Sequence, residues 1–488
     1  MENRNKNIRN KTISGFLWRF LERVGAQGVQ FVVSIILARL LAPELFGTIT
    51  LISVFTTVLG VFVDSGFANA LIQKKDADDL DFSSVFYCNV FICVVLYLIM
   101  FFAAPSIARF YSDDQLIAPI RVISLSMLVG GVKNVQTAYV SRTMQFKRFF
   151  FATLGGTFGA AVLGIWMAYR GFGIWALVGQ YLFNNTVDTI ILWVTVKWRP
   201  KLMFSFQRLK SLFSYGWKLL VSTLINTTYG QLRQLIIGKV YNPSSLAFYD
   251  RGNSFPFAIV NNVNSSINSV LFPVMSGAQD DISSVKSIMR RAITTSSFVM
   301  WPMMLGLAAC AEPFVKLLLT NKWLPCVPFL RIFCVSYALY PIHSANLNAF
   351  KALGRSDLFL RLEILKKVIG IAIIVITLRF GVLAIAYGVL AGDIISVFIN
   401  AWPSRSLLDY PYREQAKDIL PSILLASVMY LFVWSVTLLN LPSALTLVIQ
   451  IAIGIGVYVL ESVVFKIDSF WYVLESVKGL VNRRGAIE

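Results

Sequence analysis

Apolar runs of about 18 residues or more recur from one end of this chain to the other, each long enough to cross a bilayer as a helix. Fourteen can be counted: 12–38, 45–72, 83–108, 117–141, 149–169, 172–196, 211–238, 245–275, 287–312, 326–350, 358–378, 382–402, 418–439 and 443–465. Connections between them are short, so no soluble catalytic domain fits on either side. Only 14% of residues are charged and 57% are hydrophobic, where a soluble chain carries about 25% charged residues. The ten-residue alternation of an outer-membrane barrel is absent. The expectation is an all-α integral membrane protein. MENRNKNIRNK leads straight into a full-length helix, so no cleavable signal is expected. The five cysteines have no metal-ligand spacing and read as small apolar residues.

Membrane helices tolerate few charges, yet the first segment carries Arg19, Glu22 and Arg23, followed by Gln27, Gln30 and Ser34. At 3.6 residues per turn the two arginines, two glutamines and serine share a stripe, with Glu22 at its margin. Each charge at a helix centre costs about 2.5–3.5 kcal/mol on insertion scales, against about −0.3 to −0.6 for an apolar residue. Such a stripe must therefore face other protein or a water-filled cavity. A structural Arg–Glu pair is the plain reading; a cationic transport pathway is the functional one.

The net charge of +19 does not indicate nucleic acid. With a cytoplasmic amino terminus, 27 Lys and Arg fall in inside loops and tails, 7 outside and 10 within spans, accounting for all 44. That asymmetry is the positive-inside pattern of a multi-pass protein with both termini in the cytoplasm. After the last span, SFWYVLESVKGLVNRR reads as an amphipathic helix lying on anionic headgroups.

The chain also repeats. RLLAPELFG at 39–47 aligns with KVYNPSSLA at 239–247, and RVISLS from Arg121 with RIFCVS from Arg331. GIWALVG at 173–179 answers GVLAIAYG at 381–388. A period of six spans makes a parallel repeat. The expected organisation is a six-helix lobe at 1–200, a second at 201–410, helices 13 and 14 at 411–466 and a cytoplasmic amphipathic tail at 467–488. The opening helix has a counterpart carrying Lys218, Ser222, Asn226, Tyr229 and Arg233 on one side. In the fourth and tenth spans Ser126, Lys133 and Gln136 match Ser336, His343 and Asn346, and the repeat superposes Lys133 on His343. Arg251 adds a further cation in the eighth span. Glu22, Asp64 and His343, the chain's one histidine, are the candidate coupling groups. Gly155, Gly159 and Gly164 read as helix-packing positions, and Pro256, Pro273, Pro302 and Pro341 suggest broken or bent helices.

No G-x4-G-K-[ST] loop, HExxH or paired-cysteine arrangement occurs, so neither P-loop ATP hydrolysis nor metal catalysis is expected. The expectation is no enzyme activity and no cofactor or metal, with H+ or Na+ coupling left open.

Four runs carry a family resemblance: LARLLAPELFG, VDSGFANALIQKKD, WRPKLMFSFQRLKSLFSYGW and AFYDRGNSFPF with INSVLFPVMS. The chain resembles the polysaccharide transporters of the multidrug/oligosaccharidyl-lipid/polysaccharide exporter superfamily, the Wzx-type flippases of the colanic- and teichuronic-acid kind. The resemblance covers nearly the whole chain. It implies a V-shaped pair of six-helix lobes plus two carboxy-terminal helices in the bacterial inner membrane. It also implies alternating access that moves undecaprenyl-diphosphate-linked oligosaccharide toward lipopolysaccharide, capsule or exopolysaccharide assembly. Partners would be membrane lipids and the polysaccharide polymerase and chain-length machinery. Arg19, Arg23, Lys133, Lys218, Arg233 and Arg251 would be the substrate-binding cations, matched to a diphosphate. A lipid II-type flippase or a drug/cation antiporter of the same superfamily remains an alternative, as does a membrane polymerase or ligase. Cationic drugs would want a cavity rich in acids, and a polymerase would want a large outside loop.

Overall fold

The computed structural model describes residues 2–64, 67–74 and 76–484, with side chains from residue 18 to 475 except at 64–66, 69, 75 and 215, and at 478. The described residues are helical and contain no strand. Helices are α1 Glu2–Leu40, α2 Pro43–Asp64, α3 Phe67–Gln73, α4 Asp79–Tyr111, α5 Ile117–Arg142, α6 Lys147–Tyr169, α7 Ile174–Thr195 and α8 Phe206–Val240. They continue as α9 Pro243–Gly277, α10 Ile282–Ala309, α11 Ala311–Leu319, α12 Val327–Ala338, α13 Tyr340–Ala352 and α14 Ser356–Thr377. The last are α15 Val382–Ala401, α16 Ser404–Leu407, α17 Tyr412–Ser435, α18 Ser443–Val464 and α19 Asp468–Arg484.

Every expected span falls on helix among the described residues, with 45–72 divided between α2 and α3 and 326–350 between α12 and α13. Among the described residues ten helical stretches are both long and apolar enough to cross a membrane. The remaining expected spans lie on α7, α8, α9 and α14, of 22, 35, 35 and 22 residues, which have the length for about 30 Å of hydrocarbon but are more polar. This is a multi-pass membrane protein. Phe102, Phe158 and Val194 are exposed on it at 72%, 64% and 75%, as lipid-facing residues are.

The expectation for the prolines holds only in part. Pro256 and Pro273 lie inside the continuous α9 and Pro302 inside α10; Pro341 alone stands at a break, where α12 gives way to α13. Proline forfeits one backbone bond, and a long membrane helix absorbs that loss.

Contacts divide the chain into two compact units, Met1–Ala247 and Phe248–Glu488. In the first, α6 packs along α7 and α1, α4 along α5, and α2 along α8. Glycines permit the α6–α7 approach. A Cβ at Gly155 would stand 2.8 Å from Ile191, and one at Gly159 2.7 Å from Phe183. One core gathers Leu71, Phe82, Val140, Leu192, Trp198 and Leu212; another gathers Ile52, Cys93, Met100, Ile120 and Met127.

Residues 196–205 form a non-helical strap from α7 to α8. Its backbone nitrogens at Lys201 and Ser205 donate to the buried hydroxyls of Ser83 and Ser84, at 3.0 and 2.9 Å. Gln136 Nε2 donates to the Trp198 carbonyl at 3.1 Å, and Trp198 Nε1 to Asp79 at 3.2 Å. The start of α4 receives this strap because it is itself fixed by a capping box between Asp78 and Asp81. Asp81, fully buried, also holds Lys74 at 2.6 Å.

In the second unit α10 packs on α17, α12 and α13, α14 on α15, and α17 on α18. Asn346 belongs to a buried lattice here, accepting from Ser404 at 2.6 Å and donating to Gln415 at 3.0 Å. It therefore serves packing rather than extending the polar face of His343.

Candidate functional site

Each unit contains a polar cavity among the described residues. In the first, α1, α2, α5, α6 and α7 enclose about 410 Å3. Arg19 Nη1 donates to Glu22 Oε2 at 2.9 Å, and Thr153 Oγ1 donates to Glu22 Oε1 at 3.1 Å. The Arg19 guanidinium also lies 4.1 Å above the Phe149 ring, a cation–π contact. Across the cavity Lys133 Nζ donates to Asp188 Oδ2 at 2.9 Å. Two cations meet two carboxylates, so the cavity is internally neutralised. Asp188 Oδ1 is buried without a partner and can accept one more donor.

The sequence-derived cations are thus not one cluster. Arg19 and Lys133 share this cavity with Glu22. Arg23 on α1 and Lys218 on α8 are exposed, and neither forms an ion pair or hydrogen bond among the described residues. Arg233 on α8 is half-buried, 5.8 Å from the Tyr229 ring. Arg251 on α9 packs 5.1 Å over Trp323 in the second unit. Asp64 ends α2, and its side chain lies outside the described residues.

The second cavity, about 350 Å3, contains His343 and is lined from α9, α12, α13, α14 and α15. It repeats the first. Ser126, Lys133, Asn134, Thr137, Phe149 and Thr153 each find the residue 210 positions later on the second wall: Ser336, His343, Ser344, Leu347, Phe359 and Glu363. Lys133 and His343 thus line the cavities of their respective units at matching positions. The chemistry differs: Lys366 pairs with Glu363 at 2.5 Å, Ser336 donates to Asp393, and the amides Asn264, Asn268 and Asn348 stand beside the charged groups. Thr153, Asp188 and the amides of the second cavity were not recognised from sequence as site residues. Carrying the 210-residue spacing beyond Lys133 would have pointed to Thr153 through its counterpart Glu363, but not to Asp188 or to the amides.

A family model described as "Polysaccharide biosynthesis protein" matches residues 36–328. Among curated relatives, the lipopolysaccharide biosynthesis protein WzxC of Escherichia coli is 26% identical, covering 92% of this chain and 88% of its own. The teichuronic acid biosynthesis protein TuaB of Bacillus subtilis is 21% identical over 92% and 94%. The succinoglycan biosynthesis transport protein ExoT of Rhizobium meliloti is 24% identical over 78% and 75%. Among solved structures, the lipid II flippase MurJ in an inward closed conformation superposes with TM-score 0.74 at 17% identity, over 93% of this chain and 98% of that one. An inward-facing multidrug resistance transporter of the MATE family and MOP superfamily gives 0.62 at 14%, over 79% and 95%. At these identities the structures speak for the fold alone, an all-α arrangement shared with these transporters.

Proposed function

We propose, from the premise that this chain belongs to the polysaccharide biosynthesis protein family, that it is a flippase for undecaprenyl-diphosphate-linked oligosaccharide. It would carry repeat units across the bacterial inner membrane by alternating access, for assembly of a lipopolysaccharide, capsular or exopolysaccharide polymer. Both termini would be cytoplasmic. Lobes at 1–200 and 201–410 would do the moving, with 411–466 and the tail 467–488 as accessory elements. The polymerase and chain-length machinery are the expected partners, and no enzyme activity or cofactor is required.

The observation that carries this reading is the division of charge in the first unit. Arg19 and Lys133 are answered by Glu22 and Asp188, whereas Arg23 and Lys218 are exposed and uncommitted. Free positive charge is what an anionic diphosphate needs and what a cationic drug would avoid. Arginine offers a planar fork for bidentate phosphate contact and lysine a point charge. Arg19, Lys133, Arg233 and Arg251 would act later in the cycle, once their present partners let go. Glu22, Asp64 and His343 are the proposed coupling groups for H+ or Na+.

Deletion of the gene should cause the lipid-linked oligosaccharide to accumulate, as read by mass spectrometry. Arg23→Ala or Lys218→Ala should leave membrane abundance intact and abolish export. Lys478→Ala should leave both abundance and export unchanged. Full export by an Arg23→Ala/Lys218→Ala double variant at normal abundance would refute the assignment. Accumulation of lipid II instead would favour the lipid II-type alternative.

A further inference from the structure

The second-unit cavity is built for hydroxyl groups. Asn268 Oδ1 accepts from Ser344 Oγ at 2.5 Å and from Asn348 Nδ2 at 2.6 Å. Both lone pairs of that oxygen are thereby used. The Asn268 amide nitrogen keeps its two N–H donors for the cavity that the residue lines.

His343 is fixed in the same way. Asn400 Nδ2 lies 3.0 Å from His343 Nδ1. With the Asn400 amide in this orientation its nitrogen donates, Nδ1 accepts and the neutral ring carries its proton on Nε2. That Nε2 is buried and has no partner. A buried donor without an acceptor is costly to maintain; the atom has essentially no accessible surface, so a ligand oxygen would relieve it only when the cavity wall opens toward it.

Around these donors stand ring faces and edges. Tyr340 meets His343 edge to face with centroids 6.4 Å apart, and Phe359 lines the same wall with Lys351 Nζ 4.4 Å from its centroid. The charged groups number two of each sign, Lys351 and Lys366 against Glu363 and Asp393. Such a cavity has no net charge with which to select an anion. About 350 Å3 is at the low end of the roughly 300–1,000 Å3 of small-molecule sites, too small for a whole lipid-linked oligosaccharide. Fixed donors, hydroxyls and aromatic surface in a small neutral cavity match one substrate class: a sugar ring, with dense hydroxyls and apolar C–H faces.

We propose that this cavity is a saccharide subsite that reads a neutral sugar of the transported unit, with His343 Nε2–H and the Asn268 amide as its principal donors. The proposal rests on the flippase reading and names its sugar-recognition element. A site built to bond particular hydroxyls rejects a ring that lacks them, because the buried donors are then left unpaired. Sugar selectivity would thus reside in the second unit, apart from the uncommitted cations Arg23 and Lys218 of the first.

The test uses purified full-length protein in detergent and, as probe, phosphate-free oligosaccharides from partial acid hydrolysis of the host's own surface polysaccharide. Saturation-transfer NMR should detect binding to the wild type. His343→Ala and Asn268→Leu should each weaken it about tenfold or more, while Lys478→Ala leaves it unchanged. Monodisperse elution and an unshifted melting curve establish that each variant is folded; Ser396→Ala, a smaller change on the same wall, gives a weaker loss in the same direction. No binding to the wild type, or binding unchanged in folded His343→Ala and Asn268→Leu, overturns the proposal. It is equally overturned if sodium chloride alone stabilises the protein and Asn268→Leu removes that effect without altering saccharide binding, since the cavity is then a cation site. The flippase reading fails separately, through absence of accumulated lipid-linked oligosaccharide in the deletion strain.

Discussion

Glu22 illustrates how a charge is kept in an apolar helix. It is 8% exposed and accepts from both Arg19 and Thr153, so its two oxygens are occupied. Thr153→Val should therefore leave one carboxylate oxygen without a partner and destabilise the first unit by about 1–3 kcal/mol, readable as a lower melting temperature in detergent. Lys133 and Asp188 make the analogous pair on the opposite wall. Lys133→Met should cost more stability than Lys133→Met/Asp188→Leu, because the single change strands a half-buried carboxylate. A double-mutant cycle that summed without interaction would show the pair to be incidental. These partnerships also mark the limit of what the sequence reveals. The i,i+3 pairing of Arg19 and Glu22 was visible in helical periodicity, but Thr153 reaches Glu22 across 131 residues and Lys133 reaches Asp188 across 55. Periodicity reports which face a residue occupies; it carries nothing about which distant face comes to meet it.

At the scale of the element, helix ends were less legible than helices. The start of α10 is set by Asp281, which accepts from the Ser283 backbone nitrogen at 3.0 Å and the Ser284 hydroxyl at 2.6 Å. These hydroxyls hold its carboxyl down to about 2 from the usual 3.8. A depressed carboxylate contributes to the folded state above its ordinary value and loses that contribution as pH falls toward the depressed one. Protection of the first-turn amides of α10 against exchange, taken relative to the intrinsic rate at each pH, should accordingly fall between pH 3.8 and about 2, and Asp281→Ala should remove the dependence. Glycine-mediated approach is the other element-scale device. A Cβ on Gly252 in α9 would sit 2.6 Å from Phe329 Cβ and 2.9 Å from both the Cys326 carbonyl and the Leu330 nitrogen. Backbone cannot swing aside as a flexible side chain can, so Gly252→Ala should lower the yield of folded protein sharply. The spacing that marked Gly155 and Gly159 was read correctly because it repeats on one helix; Gly252 stands alone and gave no such signal.

The whole molecule is two compact units whose cavities share a register 210 residues apart, which the weak sequence repeat had already outlined through Ser126, Lys133 and their counterparts. What the repeat could not convey was the divergence of the two cavities, such as Lys133 against His343 and Thr153 against Glu363, since that lies in the substitutions between matching positions. The strap at 196–205 has a consequence for anyone wishing to engineer this protein. By its dihedral angles it is a loop, and Leu202 is 99% exposed, so it invites an epitope or a fluorescent module. Its backbone is nonetheless tied at Trp198, Lys201 and Ser205 to α4 and α5, and a few added residues would put those attachments out of step with Ser83 and Ser84. The turn at Asn440–Pro442, exposed at Asn440 and capped only locally, carries no comparable moorings. A tag placed there should leave export intact, whereas the same tag between Arg199 and Ser205 should abolish it.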